Sequence, residues 1–104
     1  MTPSEDQITE VAEVFRLLGD PTRLKVVFAC LDEPVSVGNI ASSVGASVSL
    51  VSHHLRLLKG ARMVRSHRNG RQIFYMAADQ HVRSILTGMV EHANETTAET
   101  AGGT

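Results

Sequence analysis

The hydrophobic period of the chain changes abruptly near residue 60, and this restricts the fold more than any other feature. From Ser47 to Lys59, SVSLVSHHLRLLK, Val48, Val51, Leu55 and Leu58 recur at helical spacing and predict a stripe packed inward. From Met63 the pattern alternates instead. Met63-Val64-Arg65-Ser66-His67 and Gln72-Ile73-Phe74-Tyr75-Met76 flank Arg68-Asn69-Gly70-Arg71, in which Asn-Gly signals a tight β-hairpin. Ahead of the helix, Val37, Ile40, Ala41 and Val44 form a short amphipathic helix, and Gly45-Ala46 breaks the chain between the two. Two helices joined by a tight turn, followed at once by a basic-tipped hairpin, predict a helix-turn-helix carrying a wing.

The flanks read as further helices. A first helix is expected from about Gln7 to Leu18, with Ile8, Val11, Val14, Phe15 and Leu18 as its buried stripe. Gly19 ends it, and Asp20-Pro21 opens a second with a capping side chain and a first-turn proline. Leu24, Val27, Phe28 and Leu31 then repeat the pattern, with Thr22 and Arg23 on the exposed first turn. Asp32-Glu33-Pro34 stops that helix, and Ser36 caps the short third one. A last helix should follow Asp79 from about Gln80 to Asn94. Its apolar residues Val82, Ile85, Leu86, Met89, Val90 and Ala93 cover too broad a surface for a helix facing solvent, so it should pack on a partner. The expected fold is mainly α with a β-hairpin wing, about five helices and two strands in one domain over residues 7–95. Residues 1–6 and 96–104 read as flexible ends. A chain of 104 residues, 42% apolar, has only a modest core, which makes oligomerisation plausible.

Charge gives the helix-turn-helix a purpose. The formal net charge is −1, yet from Pro34 to Ala78 there is no Asp or Glu, while Arg56, Lys59, Arg62, Arg65, Arg68 and Arg71 all lie there. Six of the ten bases thus share one acid-free window, a phosphate-binding footprint on a near-neutral protein. Ser47, Ser49, Ser52, His53, Arg56 and Lys59 spread hydroxyl, imidazole and cationic donors over the outer face of the predicted recognition helix. Arg68 and Arg71 stand at the wing tip, where they can reach phosphates or a minor groove. Double-stranded DNA is therefore the expected partner. His53 and His54 lie near serines but have no acidic neighbour in that window, so no nucleophile, base and orienter set is evident and neither enzyme activity nor an organic substrate is expected. No apolar run approaches a membrane span, and the acidic start MTPSEDQITE is unlike a secretory signal, which points to the cytoplasm. The single cysteine, Cys30, excludes an intrachain disulfide and reads as a buried structural thiol in VVFAC.

Three stretches, LGDPTRLKVVFAC, NIASSVGASVSLVSHHLRLLKGARMV and RSHRNGRQIFYMA, resemble the ArsR/SmtB family of bacterial winged-helix repressors, and the match covers about residues 8–95. The resemblance implies a homodimer that binds operator DNA and releases it when an inducer, often a metal ion, binds.

Four metal-capable residues sit at the two ends of the last helix: Asp79 and His81 at the start, His92 and Glu95 at the finish. His81 and His92 are eleven residues apart, close to three turns, so they share a side but stand ~16 Å apart along the axis. Zinc donors must each lie ~2 Å from the ion, so one helix cannot close this site. Two copies packed antiparallel can, because the start of one helix then lies beside the end of the other, with a crossing near Leu86 to Gly88. The Asp-x-His and His-x-x-Glu pairs resemble the terminal-helix metal site of the zinc-sensing branch of the family, while the family's thiolate alternative is absent, since Val35 to Ile40 contains no cysteine. Two imidazoles and two carboxylates suit tetrahedral zinc, with cobalt as a spectroscopic substitute and nickel as the second choice. The expected function is a repressor released from its operator by zinc. Alternatives are a nickel or cobalt response through the same residues, or a winged-helix regulator with a redox or protein signal and no metal.

Overall fold

A computed structural model describes the backbone of residues 1–103 and the side chains of residues 1–95. Helix α1 spans Glu5–Leu18, starting slightly before the expected Gln7 because Ser4 and Gln7 form a reciprocal capping box. Helix α2 spans Pro21–Ala29, with the Asp20 carboxylate accepting from the backbone N–H groups of Thr22 and Arg23. Strand β1, Val35–Ser36, leads into α3, Val37–Val44, where the Ser36 hydroxyl accepts from Asn39 N. Gly45 then takes φ +72°, a left-handed turn that an L side chain adopts only with strain, and its N–H and that of Ala46 close on Ala41 O. Helix α4 is Val48–Gly60, strands β2 and β3 are Val64–Asn69 and Gln72–Ala77, and α5 is Gln80–Gly103.

The hairpin forms where the Asn-Gly signal predicts it. Asn69 pairs with Gln72, leaving Gly70 and Arg71 as the turn, and Gly70 has φ +66°. The sheet has three strands, not the expected two, because Val35 and Ser36 pair with Tyr75 and Phe74 in the order β1-β3-β2. Two residues show no alternation, so this edge strand left no periodic trace. Helix α5 also runs past the expected end at Asn94, since nothing in NETTAET breaks a helix before Gly102-Gly103.

The core lies between α2, α3, α4 and the sheet. Val26, Val27, Cys30, Ile40, Val51, Leu55 and Leu58 are fully buried, and Tyr75, Ala77, Val82 and Leu86 close it from the sheet and α5. Ala77 N donates to Cys30 O and Ala78 N to Met63 O, which fixes the wing root on the helical platform. The expected stripe of α1 is covered only in part: Val14 and Leu18 are half-buried against the core, Ile8, Val11 and Phe15 are exposed, Phe15 at 61%, and Leu17 is the buried residue. The expected surface of α5 divides the same way, with Val82 and Leu86 buried and Ile85, Met89 and Val90 exposed. Among the described residues nothing buries these apolar side chains. Among the described residues no helix is long and apolar enough to cross a membrane.

Candidate functional site

Helix α4 is held by Val51, His54, Leu55 and Leu58, not by the expected set beginning at Val48. Val48 is 54% exposed, and His54 has taken a place in the buried stripe. This rotation leaves Ser49, His53, Arg56 and Lys59 exposed and Ser52 half-buried, the outer face expected to meet a groove. Ser47 is exposed too, but its hydroxyl oxygen accepts from Leu50 N as the helix cap, leaving the O–H as its donor. The helix ends in a Schellman closure, Met63 N to Leu58 O and Arg62 N to Lys59 O, with Arg62 at φ +62° where glycine is usual.

A residue that periodicity did not single out positions this helix. Arg23, expected on an exposed turn, is half-buried; its Nε donates to His54 Nδ1 at 3.2 Å and its Nη1 donates to Leu17 O at 3.0 Å. It thereby ties the end of α1 to the middle of α4. An Nδ1 that accepts requires a neutral imidazole with its proton on Nε2. Burial, and after it the Arg23 charge, push His54 below its ordinary value of 6.5; Asp20 acts the other way and His53 adds to the lowering. The Asp20 carboxyl is itself held below its ordinary value, chiefly by the backbone N–H of Arg23, against partial desolvation.

The sign of the resulting pH dependence follows. A histidine whose folded value is lowered binds its proton more readily in the unfolded chain, so its contribution is complete above the ordinary value and is lost as pH falls through the lowered one. His54→Asn keeps an acceptor for Arg23 and does not titrate. Its thermal midpoint should therefore fall less than the parent's between about pH 7 and pH 5, and parallel profiles for the two proteins would rule out His54 as the titrating group.

The acid-free window proves less uniform than its sequence. Arg62 pairs with Glu10 of α1 and Arg65 Nη2 lies 3.4 Å from Met76 Sδ across the hairpin. Arg56 and Lys59 on α4, and Arg68 and Arg71 at the wing tip, are all four exposed. His67 stacks on Phe74 with ring centres 5.6 Å apart, stiffening the wing below its tip. Between wing and helices lies a cleft of about 360 Å³ bordered by Asn39, Val48, Ser52, Arg71 and Ile73.

At the start of α5, Asp79 Oδ1 accepts from Val82 N at 3.0 Å, the expected cap, and lies 3.8 Å from His81 Nδ1. His81, His92 and Glu95 are exposed on the same helix. The fold brings Asp79 and His81 together but leaves His92 and Glu95 three turns away, and among the described residues no three metal-capable side chains converge. Nothing lies within 4 Å of where a Gly88 Cβ would stand, so packing inside one chain gives no reason for that glycine. Cys30 is fully buried, donates from Sγ to Val26 O, and burial pushes its thiol up to about 11, which disfavours the thiolate at neutral pH.

Residues 20–66 match the family model described as bacterial regulatory protein, arsR family. The HTH-type transcriptional regulator KmtR of Mycobacterium tuberculosis is 42% identical over 92 residues, covering 86% of this chain and 71% of that protein. The cadmium resistance transcriptional regulatory protein CadC homolog of Staphylococcus aureus is 32% identical over 87 residues, covering 83% and 72%. A homodimeric winged helix-turn-helix DNA-binding domain from Mycobacterium bovis superposes with a TM-score of 0.81 at 23% identity, covering 94% of this chain and 93% of that one. With identities of this extent over most of both chains, the chain belongs to the bacterial arsR family of DNA-binding transcriptional regulators.

Proposed function

We infer that this chain is a metal-responsive repressor in which residues 7–95 form a homodimer on operator DNA and zinc promotes release. The observation that carries the reading is the division of α5: two donor pairs stand three turns apart on a helix whose Ile85, Met89 and Val90 stay exposed among the described residues. A second copy would supply both what the apolar face needs and what each donor pair needs. Asp79 and His81 of one subunit would then share an ion with His92 and Glu95 of the partner subunit, twice across the two-fold axis. The donor chemistry fits zinc, since neutral imidazoles and carboxylates are its nitrogen and oxygen ligands, and Asp79 and His81 already lie close together. A bound ion supplies a link between the two terminal helices; the chain supplies the rest. Arg56, Lys59, Arg68 and Arg71 hold phosphates, while Ser47, Ser49, Ser52 and His53 face the groove. The name of the cadmium resistance relative is in keeping with a metal signal. Nickel or cobalt through the same residues is the second reading.

Linkage makes the test direct: if the metal lowers DNA affinity, DNA lowers metal affinity by the same factor. The purified dimer is titrated with cobalt and then zinc, followed by optical absorption, with and without the DNA upstream of its own gene. Intense tetrahedral cobalt bands, bleached by zinc at one ion per subunit and weakened by DNA, are expected. Weak six-coordinate bands would move the assignment to nickel, and no binding would remove the metal from the proposal.

A further inference from the structure

The position of Val48 conflicts with its hydropathy. Helical spacing assigns it to the buried stripe, yet it stands exposed on the first turn of α4 between Ser47 and Ser49. With 100° per residue, the buried Val51, His54, Leu55 and Leu58 define one side, and Ser49 and Arg56 point directly away from it. Val48 and Ser52, four residues apart, occupy the flank toward the wing, where both border the cleft with Arg71 and Ile73. The other exposed apolar residues, Leu50 and Leu57, lie on the opposite flank, and Leu57 borders a hollow against Leu17 of α1. Val48 borders Val37 and Ile73 at the cleft, but they do not cover it: it stands 54% exposed. Nor does the helix need it, because a β-branched residue is a poorer helix former than alanine.

The first turn of a recognition helix is the part that meets base edges. In the major groove the apolar group that a base edge presents is the C5-methyl of thymine. We propose that Val48 is a specificity-determining residue that reads one thymine in each operator half-site through that methyl group. The proposal rests on α4 entering the major groove as inferred above. Ser49, Ser52 and His53 supply hydrogen-bonding groups around it, so that the valine adds methyl recognition to a polar reading head.

Replacing thymine by deoxyuridine removes only the methyl and keeps every hydrogen-bonding group. The DNA upstream of the protein's own gene is made as a labelled duplex in which each thymine of both half-sites is exchanged in turn, and binding of the metal-free dimer is followed by fluorescence anisotropy. One symmetry-related pair of positions should weaken binding by ~15-fold, about fourfold for each methyl group removed. Val48→Ala should show a similar loss on unmodified DNA and no further loss with uracil at that position. Val48→Thr, which keeps the shape and one methyl, should fall between them. Because the side chain is exposed, both variants should melt with the parent. The proposal is overturned if uracil weakens binding nowhere, or if Val48→Ala keeps the parent's sensitivity. A protein that does not prefer this DNA to a random duplex would overturn the groove reading of α4 as well, which separates the two failures.

Discussion

Replacing His81 or His92 by alanine should leave operator affinity of the metal-free protein within about threefold of the parent and lower zinc affinity by more than ~100-fold. The lower bound follows because losing a residue that merely orients a metal ligand already costs 10–100-fold, and these are proposed as the ligands themselves. Neither change should disturb folding. Both side chains are exposed, and alanine is the better helix former at each position. Asp79 requires a different variant because it also caps α5 through Val82 N. Asp79→Ala would confound metal loss with ~1 kcal/mol of lost capping, whereas Asp79→Asn keeps the cap and removes the charge. The measurement is anisotropy of labelled operator DNA under increasing zinc. A His81→Ala or His92→Ala protein that still dissociates at the parent's zinc concentration would show that the inducer acts elsewhere.

The parts of the fold that were legible in the sequence are those fixed by local chemistry. The caps at Asp20, Ser36 and Asp79 each depend on a side chain reaching N–H groups two or three residues on, and each forms. The hairpin depends on Gly70, and it forms in the expected place. What remained hidden depends on neighbours distant in sequence. Val48 matches the helical period but lies past the edge of the platform that buries Val51 and Leu55, and a periodic pattern carries no information about where its support ends. Strand β1 exists because Tyr75 and Phe74 offer it an edge some forty residues later.

The basic window shows the same division. Composition located the acid-free window, but Glu10, 52 residues before Arg62, returns alongside it and pairs with it. A charge count along the chain treats that arginine as available; the fold gives it an acid. Arg23 is the converse case. Its placement beside Asp20 suggests an exposed turn, and only the packing of α1, α2 and α4 turns it inward to His54 and Leu17 O. The four donors at the ends of α5 were legible together with the two-copy site proposed for them; among the described residues of one chain they do not converge, so that proposal requires a second chain.

That requirement gives the other large effect. Ile85→Glu should convert the dimer to monomers, raising its dissociation constant by ~100-fold or more, because an uncompensated charge buried in an interface costs about 3–5 kcal/mol. Symmetry strengthens the effect, since the substitution enters an isologous interface twice. The isolated subunit should keep its fold: Ile85 is 56% exposed in the single chain, and the core from Val26 to Leu86 does not use it. Sedimentation then separates association from folding, and far-ultraviolet circular dichroism confirms the helices. Two consequences distinguish this account from one in which each chain acts alone. Operator affinity should fall by at least ~100-fold with about half the salt slope, since a monomer reaches one half-site and neutralises half the phosphates. The tetrahedral cobalt bands should also vanish, although Asp79, His81, His92 and Glu95 are all still present. A monomeric Ile85→Glu protein that kept those bands would place the metal within one subunit, against the three-turn separation of its donors.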